Sequence, residues 1–402
     1  MTTTTGIDLL SSASFAGGHP VEQYRRLREN APVFWHPEAD GPGFWAVTGY
    51  EHIRAASKAP EIFSSWAGGI MINDFPPEEL EFFRSMILVM DPPKHSFYRR
   101  LVGNLFTPKR AEGWRESIRD IVTSILDEAS ERTSCDLVED IAGKLPSYVI
   151  AELLGIPRSE GTRLYQLTET MHSAPDVVDD EQRFGAMREI TGYATRIRDE
   201  KLAEPADDLA SRLVVAEIDG RTLTEQEFTS FFLLLVNAGG DTTRNLVGGA
   251  MVTLLERPEL LERLRAEVDT LLPSALEELL RFQSPVIYMR RTAVADTELG
   301  GVSIAAGDKV GLYYGAGNGD ASVFERPQDV VLDRTPNEHL AFGGGGPHFC
   351  LGSHFGRIEG GEMIRQLLTR FSDLALAGEP TWLASNFISG PTHVPVTYTP
   401  RG

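Results

Sequence analysis

The 402-residue chain has only two cysteines, Cys135 and Cys350, far apart and in no shared motif. That excludes a disulfide framework and fits a reducing compartment. It also excludes a structural zinc site, which needs several Cys or His ligands close together. Residues 1–24 carry no Lys or Arg, and no apolar run there resembles a signal peptide. The most apolar patch, Phe231 to Val236, is far too short to span a bilayer. No membrane anchor is expected, and the expected location is cytoplasmic. Positive charge is scarce: 38 Lys and Arg stand against 58 Asp and Glu, for a formal net charge of −20. General nucleic-acid binding is therefore not expected. No repeat, long linker or low-complexity segment beyond MTTTT interrupts the chain, so one domain over residues 1–402 is expected.

What is present is mostly helical signal. Thr224-Glu225-Gln226-Glu227 reads as a capping box. It opens an apolar pattern that runs to Arg257, which predicts a helix of about 33 residues, or about 50 Å. Further helices are predicted from Ser274 to just before Pro285 and from Cys350 to about Phe371. Another is predicted over about 92 to 106, with Asp91 as N-cap and Pro92 at the first helical position. Strand signals are Phe44 to Thr48, Val394 to Tyr398, and a hairpin joining Thr297–Ile304 to Lys309–Tyr314 across Ala306-Gly307-Asp308. Together they predict a mainly α fold with small β-sheets.

Residues 342–352, FGGGGPHFCLG, carry the clearest chemistry. A nucleophilic Cys350 with His348 as base lacks a third member and an oxyanion signal. A phosphate cradle lacks the Lys and Ser/Thr of a P-loop. A thiolate bound to a haem iron needs only one protein ligand. It accounts for the glycines, which let backbone approach a ring closely and take positive φ. It also accounts for the following helix, whose N-terminus stabilises a thiolate, and for His348 as a donor to a haem carboxylate. The bland alternative is a glycine-rich loop with a buried structural cysteine.

Three other groups bear on that choice. Ala238-Gly239-Gly240-Asp241-Thr242-Thr243 falls inside the long helix, where two glycines cost roughly 1 kcal/mol each and invite a kink. Thr242 puts a hydroxyl on the face of Phe231, Leu235 and Ala238, beside Asp241, where the pair could relay protons; a packing kink with a solvated Asp reads the same way. Glu278 and Arg281 are three apart on a helix and can pair, as chance pairs also do. His95 and Arg99 are four apart and can reach one anion, or are two surface residues. Arg291 follows Pro285 and leads into Thr292-Ala293.

In this order along the chain, the cysteine loop, the acid–threonine pair, Glu278/Arg281 and His95/Arg99 resemble the cytochrome P-450 haem-thiolate monooxygenases over essentially the whole length. The resemblance implies that Cys350 is the axial ligand of a haem b iron. It implies that His95, Arg99, Arg291 and His348 hold the haem propionates. It gives Asp241 and Thr242 the delivery of protons as the O–O bond of dioxygen breaks. Glu278 and Arg281 then buttress the cysteine side. Departures exist: the spacing from Phe342 to Cys350 is one residue longer than usual, and Gly319 stands where arginine is common. Asp329 stands where a basic residue is common, which leaves Arg334 as the expected third partner of Glu278/Arg281.

The long glycine loop, Asp241 through Asn245, and Ser385-Asn386-Phe387 with Gly390 and Pro395 resemble one bacterial branch that oxidises steroids, branched fatty chains and isoprenoids. By that analogy the substrate is apolar and is read by about Trp66 to Val89, 163 to 200, Val286 to Tyr288, and Phe387-Ile388. Candidate pocket residues are Asn237, Ala238, Val286, Tyr288 and Ile388, with Asn237 and Tyr288 each able to give one polar contact. The expected reaction inserts one atom of O2 into a C–H or C=C bond. No flavin or ferredoxin module is visible, so separate ferredoxin and ferredoxin reductase partners are implied, docking near Arg100, Lys109, Arg110 and Arg357. The alternatives are a peroxide-driven haem-thiolate oxidase and a non-enzymatic haem sensor or carrier, neither of which needs the acid–threonine pair.

Overall fold

The computed structural model describes residues 6–172, 178–218 and 220–401. Residues 173–177 of the expected substrate-reading segment 163–200 lie outside the described residues. The capping box forms as expected. The Thr224 hydroxyl accepts from the Glu227 amide at 3.3 Å, and the Glu227 carboxylate accepts from the Thr224 amide at 2.9 Å. Six helices frame the site: α1 (Lys94–Gly103), α2 (Lys144–Leu154), α3 (Arg158–His172), α4 (Glu225–Leu255), α5 (Val268–Gln283) and α6 (Ser353–Arg370). The 31-residue α4 is the longest, about 47 Å at 1.5 Å per residue. From Asn245 to Leu254 every residue is buried, as expected of a helix surrounded by apolar neighbours. Its Val247 and Met251 share the largest apolar cluster with Leu279 of α5 and Ile364 of α6. Each such fully buried side chain contributes about 1.5–3 kcal/mol.

Two helix starts differ from expectation. α5 begins at Val268, six residues before Ser274. The Glu267 carbonyl accepts from the Thr270 and Leu271 amides, so Pro273 removes one ladder bond without ending the helix. α1 begins at Lys94 rather than at Pro92. Asp91 does not cap it: its carboxylate instead accepts from the Ser64 hydroxyl and, at 2.8 Å, from the Ser65 amide.

The main sheet contains β1 (Val33–His36), β2 (Phe44–Val47), β3 (Phe63–Ser64), β4 (Tyr288–Ala293) and β5 (Lys309–Tyr313), in the order β1-β2-β5-β4-β3. β2 and β5 run parallel and the other pairs antiparallel. The predicted hairpin is wrong. Thr297–Leu299 pairs instead with Val302–Ile304, turning through Gly300 and Gly301 at φ 60 and 77, which L residues rarely adopt. β5 is buried at all five positions, the pattern of a strand covered on both faces. Its partners are β2 and β4, and β4 itself was not predicted as a strand. The tail strand spans Pro395–Pro400 and pairs with Phe371–Leu376 and Ser134–Asp136. Among the described residues no helix is long and apolar enough to cross a membrane.

Candidate active site

The loop before α6 is built to present Cys350. Gly343, Gly345 and Gly346 take φ of 100, 89 and 73. A Cβ on Gly344 would run into the Ser57 side chain, so the loop lies flat on the helix Tyr50–Lys58. The Cys350 amide donates to the Phe342 carbonyl at 2.9 Å and closes the loop. Burial pushes the thiol up, while the Gly352 amide, Arg99 and Arg357 pull it back. The side chain is nevertheless exposed by surface area. A thiol this desolvated and still accessible lies on the wall of an internal cleft. Ala238, at the middle of α4, is also exposed.

Four cation-forming side chains converge beside the cysteine. α1 supplies His95 and Arg99, β4 supplies Arg291, and the loop supplies His348. The His95 and His348 ring centres are 4.3 Å apart. Burial, reinforced by Arg99, lowers His95 to about 4. Burial, reinforced by Arg291, His95 and Arg99, lowers His348 to about 2. His95 Nδ1 is buried without a partner, and neither Arg99 nor Arg291 makes an ion pair among the described residues. Groups that suppress one another's charge are stabilised by an anion placed among them. This donor set, with a thiol on a glycine cradle alongside, fits a haem carrying two carboxylates.

On α4, Thr242 donates its hydroxyl to the Ala238 carbonyl at 2.8 Å, and Asp241 is half-buried beside it. The helix is not interrupted here. Gly239 and Gly240 leave room for Ile150 of α2 and Tyr165 of α3, and that packing offsets their low helix propensity. Asn237 Oδ1 is buried without a partner.

Val286 bridges Ile388, so those two candidates meet. Tyr288 does not belong with them. It is 2% exposed, and its hydroxyl accepts from the Ile72 amide at 3.1 Å. Strand alternation explains the error: Tyr288, Arg290 and Thr292 point to one face of β4, and Met289 and Arg291 to the other. Once β4 is known to be a strand, the same alternation identifies Met289 as the better candidate.

Behind the cysteine loop, Glu278 and Arg281 form a buried bidentate pair at 2.8 Å, and Arg334 joins Glu278 at 2.9 Å. Asp329 contributes its backbone carbonyl to Arg281, at 3.1 Å. Arg357 is not a free surface cation as expected. Glu277 holds it through two bonds, at 2.7 and 2.8 Å. Arg100, Lys109 and Arg110 are exposed.

Sequence reasoning missed Glu359 of α6, an isolated acid with no motif around it. It is buried, and burial pushes its carboxyl up to about 8, with a bond to Thr243 pulling it back. In the fold it stays protonated, whereas in the unfolded chain it ionises near about 4.3. Its contribution to stability therefore falls as pH rises from about 4.3 to about 8. Glu359→Gln removes this dependence. Its stability relative to the parent is expected to rise by roughly 2–5 kcal/mol between pH 5 and pH 8, read from urea midpoints at both. A difference that does not change with pH would contradict the assignment.

Comparison with known proteins agrees with this geometry. The family model described as Cytochrome P450 matches residues 181–386. A methyl-branched lipid omega-hydroxylase of Mycobacterium tuberculosis is 40% identical over 389 residues, covering 94% of this chain and 90% of the relative. A steroid C26-monooxygenase of Mycolicibacterium smegmatis is 37% identical over 406 residues, covering 100% and 98%. A solved Mycobacterium marinum cytochrome P450 in complex with pseudoionone superposes with a TM-score of 0.91 at 35% identity, covering 99% of each chain. The chain belongs to the cytochrome P450 family, as a haem-dependent monooxygenase.

Proposed function

We propose that this P450 hydroxylates the terminal methyl group of a branched apolar chain, on a methyl-branched lipid or on a steroid side chain. The observation that carries the reading is the cleft itself. A presented thiol and an exposed Ala238 open onto it, and Ala238 lies on the face of α4 that carries Phe231 and Leu235, one turn from Thr242. The names of the two relatives add the regiochemistry. An omega position and a steroid C26 are both ends of aliphatic chains.

In this reading the Cys350 thiolate would hold the iron of a haem b, and His95, Arg99, Arg291 and His348 would hold its propionates. When bound, the haem supplies the activation of dioxygen and the attack on the C–H bond. The chain supplies placement and protons. The Cys350 thiolate would lend electron density to the bound iron. The Thr242 hydroxyl, aligned by the Ala238 carbonyl, holds a proton at the cleft wall, and Asp241 replenishes it. Val286, Met289 and Ile388 exclude water and accept the hydrocarbon. Electrons come from separate ferredoxin and ferredoxin reductase partners, which meet the exposed Arg100, Lys109 and Arg110.

The test titrates the ferric holoprotein with a methyl-branched fatty acid, a sterol with an intact branched side chain and a straight-chain fatty acid, then maps the products by mass spectrometry. The branched ligands are expected to give a saturable high-spin shift and terminal alcohols. In-chain hydroxylation, or equal binding of the straight chain, would overturn the substrate class. Thr242→Ala is expected to lower product per electron pair by roughly tenfold or more while reductant use continues. Unchanged coupling would remove Thr242 from the proton path.

A further inference from the structure

α5 carries two adjacent acids, and they serve different partners. Glu278 takes Arg281 and Arg334. Glu277 turns instead toward the cysteine loop. Its two oxygens accept from Arg357 Nε at 2.7 Å and Nη2 at 2.8 Å, and one of them also accepts from His339 Nε2 at 3.0 Å. The ring proton of His339 sits on Nε2, because Nδ1 accepts from the Ala341 amide at 3.2 Å. Burial opposes the charge on Glu277, but the bonds from His339 and Arg357 outweigh it and hold the carboxyl down at about 2. Glu277 is therefore a carboxylate at neutral pH.

Arg357 links this acid to the thiol. Its guanidinium carbon lies 4.4 Å from the centre of the Phe342 ring, and Phe342 is the residue whose carbonyl takes the Cys350 amide. Arg357 is also one of the two cations whose charge pulls the Cys350 thiol down. The other, Arg99, stands among the groups that await an anion. Arg357 already has one, and among the described residues Glu277 is its only carboxylate. With side chains 30% and 28% exposed, such a pair contributes little to stability. Its effect on a nearby charge that changes can be larger, because Arg357 and Glu277 act on that charge with opposite sign.

We infer that Glu277 sets how readily the bound iron takes its first electron, as a positioning residue that acts through Arg357. The electron comes from the ferredoxin and converts ferric iron to ferrous. The site gains one negative charge, and no bond in the chain is made or broken. A cation beside the thiolate favours that gain, since net charge around a thiolate-bound iron is one of the levers on its potential. Glu277, bonded to the cation, offsets it and keeps the iron harder to reduce. The inference rests on Cys350 holding the haem iron and not on the terminal-methyl reading.

The test is a spectroelectrochemical titration of the haem-loaded, substrate-free enzyme. Glu277→Gln keeps an oxygen for the His339 and Arg357 donors and removes the charge. At a fixed potential its ratio of ferrous to ferric iron is expected to rise roughly three- to tenfold, tenfold being 59 mV for one electron. Arg357→Gln removes the cation instead and is expected to lower the ratio by a similar factor. Arg357→Lys keeps the charge without the fork and should stay near the parent, as should the double variant Glu277→Gln with Arg357→Gln. Glu338 lines the same surface cleft, 3.6 Å from Arg54, and Glu338→Gln should shift the ratio much less than Glu277→Gln. A shift in one direction for both single variants would mean a loosened haem site and would overturn the inference. Unchanged ratios would do the same, and so would an Arg357→Lys that behaves like Arg357→Gln. The reduced carbon monoxide complex is expected to keep its thiolate-type absorption in every variant. Its absence from the parent would defeat the ligand assignment itself, and that failure is read separately from the potentials.

Discussion

Cys350→Ser is expected to leave a folded chain that forms no product. The loop around residue 350 is set by three positive-φ glycines, by close contact with Ser57 and by the amide bond to Phe342. None of these uses the sulfur, so the backbone should survive the change. The electron-donating thiolate does not. An alcohol at this position is a poor, largely protonated ligand, and the push toward O–O cleavage goes with the sulfur. Turnover should fall by roughly a thousandfold or more, and the reduced carbon monoxide complex should lose its thiolate-type absorption. Cys135→Ala is the control. That thiol is pushed up to about 11, mainly by burial, is remote in sequence from the loop, and should change neither spectrum nor rate. A thiolate-type spectrum in Cys350→Ser would sink the ligand assignment.

Glu278→Ala is expected to cost 3–5 kcal/mol, about the typical loss when one member of a buried ion pair is removed. The carboxylate accepts from Arg281 twice, from Arg334 at 2.9 Å, from Asn337 at 3.1 Å and from the Val331 amide at 2.9 Å. Its removal leaves two arginines buried beneath the cysteine loop. Burial opposes the charge on Glu278, and the arginine bonds outweigh it and hold the carboxyl below its ordinary range. The contribution is therefore complete at neutral pH and is lost as acid protonates the group. Urea midpoints at pH 7 and the haem content of purified protein both report the loss. A change below about 1 kcal/mol would mean that the cluster is an ornament of the fold and not a support for it.

What could be read beforehand was whatever announces itself locally. The capping box at Thr224, the glycines before Cys350 and the three-residue spacing of Glu278 and Arg281 are short-range signals, and each forms as written. β4 escaped because its face is decided by strands far away in sequence. Without knowing that β5 lies beside it, Tyr288 reads as a pocket residue and Met289 as a bystander. The early start of α5 was hidden by Pro273, which marks a helix end only when no surrounding core holds the turn together. Glu359 and Glu277 belong to no motif, and their character comes from burial and from partners 62 or more residues away.

The parallel pairing of β2 with β5 has a consequence for synthesis. Phe44 emerges from the ribosome roughly 260 residues before Lys309, its eventual partner. At about 5–20 residues per second, β2 waits some 13–50 s with that edge unpaired. Helices such as α4 close through local contacts as soon as they appear, whereas this sheet cannot. During the wait the apolar strand Phe44-Trp45-Ala46-Val47 keeps one edge open to pairing with another nascent chain. Chaperone occupancy early in translation, more than thermal stability of the finished protein, should therefore limit how much of this enzyme a cell recovers.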